Sequence, residues 1–282
     1  MPRMIDEAIL TAARQRLRGA LAVPPRPAHA LVVDGTPLGY FDDARRDRLM
    51  AFAGIFEAHG VDVTFRAGID TATARTAAFD VVARALASEG ALTAWRNERF
   101  AVVARFGDAP VFLVERAAAR YLGIRTFAAH ANGLVRGADG AVRMWLARRS
   151  PTKSIDPGQL DNLVGGGIAA GETPESTLVR EAWEEAGIAA ELAMRAVRRS
   201  ELAIERLVPD GLQRETIFTF DLELPVEWTP RNVDGEAFDH RLVDLPHVAR
   251  LVGQDRGPDV VTVDASAVIL DCLARLQSGP AP

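Results

Sequence analysis

Cysteine is almost missing from this 282-residue chain: Cys272 stands alone, in an apolar stretch near the C-terminus. One cysteine excludes an intramolecular disulfide and a multi-cysteine metal site, so a packing role is expected of it. Long apolar runs are missing too. No segment approaches the roughly 18 consecutive apolar residues of a membrane span. The first twenty residues, MPRMIDEAILTAARQRLRGA, mix Asp6, Glu7 and several arginines with short apolar groups, unlike a secretory leader. They read as an amphipathic helix, and the default location is the cytoplasm. Nor is positive charge in excess. A net charge of −5 and a pI near 5.6 give no global attraction to nucleic acid or to an anionic membrane, which leaves small molecules as the expected partners. Internal repeats, low-complexity tracts and Gly/Ser-rich linkers are absent as well.

What is present is an ordinary globular composition, 48% apolar and 25% charged, in a chain long enough for two domains. After the first helix, AVPPRPAHA (residues 22–30) breaks helical periodicity with three prolines, and LVVDGTPLGYF then reads as a hairpin about its Asp-Gly pair. Helical spacing is expected over residues 42–59, through Leu49, Phe52, Ile55 and Phe56, and again over 70–89, with VDVTF as a short strand between. RFAVVARF and PVFLVER flank a Gly-Asp turn and predict a second hairpin near residues 99–116, followed by a short helix in RAAARYLGI. The boundary falls near residue 125: a smaller α+β domain over 1–125, then an α-β-α sandwich over 126–282, built on a mixed sheet flanked by helices. A closing helix is expected over roughly 258–277.

The chemistry concentrates in GGIAAGETPESTLVREAWEEAGI, residues 166–188. Thr173 is a good N-cap, Pro174 suits the first helical position and Gly187 supplies a stop, so residues 174–186 should be helical. On that helix Glu181, Glu184 and Glu185 lie at i, i+3 and i+4 and project three carboxylates from one side, with Arg180 the only cation close by. Such mutual repulsion is relieved by a divalent cation. Oxygen-only ligation suits Mg²⁺ or Mn²⁺. Val179, Ala182, Trp183 and Ala186 recur at helical spacing and would bury the opposite side, leaving the acids on a solvated cleft.

The spacing Gly166, five residues, Glu172, seven residues, then Arg180-Glu181-x-x-Glu184-Glu185-x-Gly187-Ile188 resembles the Nudix box with every fixed position filled. The resemblance implies a Nudix fold. It also implies that Glu181, Glu184 and Glu185 are metal ligands, that Arg180 and Glu172 form an orienting ion pair, and that Gly165, Gly166 and Gly167 let the backbone approach phosphates. The implied reaction is metal-dependent hydrolysis of a small organic diphosphate, with water as nucleophile. A further carboxylate outside the box commonly serves in this family as ligand or base. Glu236, in NVDGEAFDH, is the first candidate here, ahead of Glu215 and Asp234, with His130, His240 and His247 as other bases. Lys153, Arg148 and Arg149 precede the box and suit phosphate binding.

A longer likeness, through AWRNERFAVVARF, FLVERAAARYLGI, HANGLVR and MWLARRSPTKSIDPGQLDNLVGGG, covers most of residues 90–245. It resembles a Nudix branch related to thiamine pyrophosphokinase that adds an N-terminal domain of uncertain role. That branch implies thiamine diphosphate or its oxidised derivatives as substrate, with the N-terminal domain covering the site, and Trp95 or Phe127 available to stack on a heteroaromatic ring. Two alternatives stay open: a nucleoside-diphosphate-derivative hydrolase of broad specificity, and a non-catalytic metabolite sensor.

Overall fold

A computed structural model describes residues 5–22, 27–93, 95–153 and 155–278; the central prolines of the 22–30 segment lie outside it. Helix α1 (Glu7–Ala20) starts where the Asp6 carboxylate accepts from Ala8 N–H. Strands β1 (His29–Val33) and β2 (Thr36–Phe41) form the expected hairpin, and Asp34 and Gly35 at its tip have φ of 50° and 75°, the mirror-image turn that an Asp-Gly pair favours. Helix α2 (Asp43–Met50) stops well short of residue 59. The chain instead enters a second hairpin, β3 (Phe56–His59) and β4 (Asp62–Phe65), turning at Gly60 with φ 65°. Gly54 disfavours a continued helix by about 1 kcal/mol, and the strand seats Phe56 in the core, 5.1 Å from the Phe65 ring. The four strands form one sheet in the order β2-β1-β4-β3. Helix α3 (Ala72–Ser88), capped by Thr71, carries Phe79, Val82 and Leu86 into that core. The hairpin expected near residues 99–116 follows, β5 (Arg99–Val102) with β6 (Phe112–Glu115), and then the short α4 (Arg116–Tyr121).

The rest of the chain builds a seven-stranded mixed sheet from β7 (Arg125–Arg136), β8 (Val142–Arg149), β9 (Leu160–Asp161), β10 (Val164–Gly167), β11 (Val197–Val208), β12 (Gly211–Leu224) and β13 (Ala237–Asp244). Its main path runs β11-β12-β7-β8-β13. Strand β10 pairs with β7 and β9 with β8, and β7 with β12 is the parallel pair. Between β10 and β11 lie α5 (Pro174–Ala186) and α6 (Ala190–Ala193); α7 (Leu245–Val252) and α8 (Val263–Ser278) end the chain. The closing helix expected over roughly 258–277 is α8, and α7 before it was unanticipated.

Alternation along β7 and β12 fixes the layers. Ala129, Ala131, Phe218 and Phe220 pack against Leu178, Ala182 and Ala186 of α5, while Ala128 and Ile217 pack against Ala267 and Val268 of α8. A mixed sheet with helices on both faces, preceded by a smaller α+β unit, is the architecture expected. The two parts touch near β10, where Ala170 N–H donates to Arg99 C=O at 2.8 Å and Phe106 packs edge-on to Phe218 at 4.8 Å, and again where Leu10 and Ala13 of α1 pack with α7 and α8.

Candidate active site

Helix α5 begins with a capping box in which Thr173 and Ser176 satisfy each other's backbone N–H, with Pro174 at the first position, and ends on Gly187 at φ 67°. Leu178, Ala182 and Ala186 form its packed stripe. Trp183, expected on that stripe, is instead 48% exposed, its ring 6.0 Å from the Arg231 guanidinium. The acids differ from expectation too. Glu184 is half-buried, but Glu181 and Glu185 are 7% and 9% exposed, so the acidic side is not a solvated face.

What buries them is the glycine strand. Gly165, Gly166 and Gly167 lie in extended β10 on β7. A Cβ on Gly166 would fall 1.9 Å from Glu181 Oε1, and one on Gly165 would fall 2.8 Å from the His130 ring, so a side chain at either position would displace the carboxylate or the ring. Gly165 N–H donates to Glu185 Oε2 at 2.8 Å. One end of the Glu172–Arg180 pair is a two-pronged contact at 2.9 and 3.0 Å, and the other Arg180 prong reaches Glu181 at 2.7 Å and Glu184 at 3.1 Å.

Burial, opposed by Arg180, pushes the Glu181 carboxyl up to about 7, and burial together with the Glu181 charge holds Glu185 well above the usual carboxylate range. Arg180, by contrast, lowers Glu172. Two adjacent buried acids served by one guanidinium lack compensating charge, and their donor set is oxygen only. A hard divalent cation fits both facts. Among the described residues no three acidic or histidine side chains already stand in a metal-ligand arrangement, and Arg180 bridges Glu181 and Glu184.

Beside the glycine strand opens a cavity of about 530 Å³. The C-terminal part contributes His130, Arg149, Lys153, Asp161, Glu215 and residues 165–167, and the N-terminal part adds Arg96, Phe100, Arg116 and Arg120. Sequence reasoning missed that second wall; the arginine density of WRNERF and ERAAARY was its only signal. Lys153 is the one lysine of the chain. It pairs with Glu236, which Arg96 also meets at 3.4 Å, so these three side chains span the two parts. Burial acts to raise the Glu236 carboxyl, but Lys153 and Arg96 outweigh it and hold it below its ordinary value. Arg149 faces Asp161 at 2.8 Å.

Other candidates lie elsewhere. Arg148 points to the opposite side of β8, paired with Asp259. Asp234 is an exposed turn residue accepting from Glu236 N–H, and His247 is exposed on α7. His240 sits at the Glu185 backbone, its affinity for a proton lowered by burial. Cys272 is buried. Trp95 stacks on Arg84 and Phe127 packs with Phe106, so the aromatic ring in the cavity is neither of these but Phe100.

Residues 126–261 match the NUDIX domain, and residues 25–126 match a domain of unknown function, DUF4743. Nudix hydrolase 24, chloroplastic, of Arabidopsis thaliana is 35% identical over 86% of this chain and 66% of its own length. Nudix hydrolase 20, chloroplastic, of the same plant is 37% identical over 71% of this chain and 53% of its own. The chain therefore spans about half to two thirds of these relatives. A solved protein of Deinococcus radiodurans aligns over 62% of this chain and 99% of its own, with 23% identity and a TM-score of 0.45. The chloroplastic relatives overturn the cytoplasmic assignment. That assignment rested on the lack of an apolar leader, which speaks to secretion and not to organelles. No helix among the described residues is long and apolar enough to cross a membrane.

Proposed function

The chain is a member of the NUDIX family through residues 126–261, behind a DUF4743 domain, and we propose that it hydrolyses the diphosphate bond of a small organic diphosphate with Mg²⁺ or Mn²⁺. The observation that carries this is the buried pair Glu181 and Glu185 beside half-buried Glu184, pressed against a glycine strand that lines a cavity. Glu181, Glu184 and Glu185 would hold the cation. When bound, it supplies charge neutralisation at the phosphoryl oxygens and acidifies attacking water.

The chain's own groups do the rest. Arg180, clamped by Glu172, holds Glu181 and Glu184 in register. Gly165 N–H fixes one Glu185 oxygen and leaves the other available. Lys153 and Arg149, with Arg96 and Arg116 across the cavity, would bind phosphate oxygens as charge-assisted donors. Glu236, kept ionised by Lys153 and Arg96, is the first candidate outside the box to receive a proton, with Glu215, which lines the cavity, as the other. Residues 126–282 would form the hydrolase domain, and residues 1–125 would supply the wall that selects the organic half.

Which organic half is the finer question. The likeness over residues 90–245 favours thiamine diphosphate or its oxidised derivatives, while the broad nucleoside-diphosphate alternative is equally compatible with the site. Monophosphate release by the purified protein, with and without Mg²⁺ or Mn²⁺, should be measured across thiamine diphosphate, its oxidised analogues, ADP-ribose, NADH and dinucleoside polyphosphates. Metal-dependent turnover of at least one is expected, and its identity decides the substrate class. Binding in Mg²⁺ without turnover of any would replace the hydrolase by a metabolite sensor.

A further inference from the structure

A chain of buried side chains leads from the cavity along one face of the sheet, the face that α8 covers, to Asp221. His130, on β7, lines the cavity. Its Nδ1 lies 3.0 Å from Asn162 Oδ1; Asn162 Nδ2 donates to Asn132 Oδ1 at 3.0 Å, and Asn132 Nδ2 donates to Asp221 Oδ1 at 3.1 Å. Arg199 Nε and Arg275 Nη2 donate to Asp221 Oδ2 at 3.0 and 2.7 Å. Asn132 and Asp221 are directly opposed in the β7–β12 register. All four linked side chains are buried, Asn132 completely.

The end residue sets the direction. A carboxylate only accepts hydrogen bonds, and its neighbours here are donors. The buried Cys272 thiol, pushed above its ordinary range by burial and then by the Asp221 charge, faces it as one more donor. Asn132 must therefore present its NH₂ to Asp221 and its carbonyl to Asn162. Asn162 must then present its NH₂ to Asn132 and its carbonyl to His130. Inverting either amide would oppose like groups and leave buried donors or acceptors unpaired. The last acceptor, Asn162 Oδ1, requires a proton on His130 Nδ1. That leaves Nε2, which has no other hydrogen bond among the described residues, as a lone-pair acceptor.

We propose that His130 is a specificity-determining group, accepting through Nε2 a hydrogen bond from an N–H or O–H of the substrate's organic half. Asp221, Asn132 and Asn162 are positioning residues that fix its tautomer. The fit of His130 under Gly165 holds the ring in place. The histidine thus discriminates by hydrogen-bond polarity: a substrate offering an acceptor at this point meets a lone pair instead of a donor. This rests on the cavity being the substrate site, as proposed above.

The test follows from the direction of the chain. Asp221→Asn keeps the shape but supplies one oxygen and one NH₂. With two guanidiniums claiming the oxygen, the NH₂ faces Asn132, both amides invert, and the His130 proton moves from Nδ1 to Nε2. Imidazole ¹⁵N NMR of the wild-type protein should show Nδ1 protonated and Nε2 bare, and the variant should show the reverse. Steady-state kinetics on the best-cleaved diphosphate of the panel should show KM raised about tenfold, the worth of one hydrogen bond, with kcat changed less. The relay is overturned by a wild-type Nε2–H tautomer, a reading that needs no variant, or by a folded Asp221→Asn that keeps Nδ1–H. An inverted tautomer with unchanged KM overturns the substrate contact. If no diphosphate is cleaved, the hydrolase reading fails while the NMR still decides the relay.

Discussion

The interiors of the two parts are built differently. Before residue 126 only two of the described polar side chains are buried, Arg75 and Glu115, against fifteen from Thr126 onward. The two early ones are tethers: Arg75 meets Asp34 at 2.8 Å, and Glu115 accepts from Arg96 N–H at 2.9 Å. The later ones include Glu181, Glu185, His130, Asn132, Asn162 and Asp221, which gather about the glycine strand and the β7–β12 pair. Buried polar groups are costly unless paired, and a buried acid is costlier still. The first part spends its core on stability alone, while the second carries strained electrostatics where a cation and a substrate would relieve them.

The largest effect that could break this comparison is at Glu185. Glu185→Gln should lower kcat about 10²–10³-fold, through loss of a ligand worth several kcal/mol at the transition state. Since burial and Glu181 already penalise the charged carboxyl, the metal-free variant should melt no lower than wild type. Full activity in Glu185→Gln would sink the metal assignment. Phe79→Ala is the mirror experiment, and comes next in size. Phe79 is fully buried, 5.7 Å from the Phe112 ring, and its truncation should cost about 3–5 kcal/mol in chemical denaturation while the kcat of folded molecules stays near wild type. A collapse of kcat without a change in midpoint would mean that the first core does more than support a wall.

The extent to which these features could be read in the sequence follows the same division. Helix α5 was legible to the residue because its start, stop and carboxylate spacing are local signals: Thr173, Pro174, Gly187 and the i, i+3, i+4 pattern. The Asp34-Gly35 hairpin was legible for the same reason. The strand at Phe56–His59 was not, since its apolar spacing fits a helix equally well until β4 pairs with it. The burial of Glu181 depends on Gly166, fifteen residues away, lying alongside in space. The cavity wall of Arg96, Phe100 and Arg116 required knowing that β5 reaches β10, where Phe100 meets Gly167, and that α4 faces the same cavity. Lys153, alone among 33 basic residues, was a signal in plain view, but its partner Glu236 is 83 positions away and meets it only in the fold.

The smallest predicted effect concerns the one acid of the motif whose carboxyl is lowered. Glu172 accepts from Arg180, from Thr177 Oγ1 at 2.8 Å and from Ala169 N–H at 3.2 Å, and Arg180 chiefly keeps it below 4.5. An acid with a depressed folded-state value binds protons more weakly folded than unfolded. Its contribution is therefore complete above about pH 4.5 and disappears as pH falls through the lower folded value. Glu172→Gln removes that contribution, so the gap between wild-type and variant melting temperatures should be widest near neutrality and close on the acid side. A gap of constant width from pH 7 to about pH 3 would mean that Glu172 acts by shape and not by charge. The Arg180 register at Glu181 and Glu184 would then need another cause.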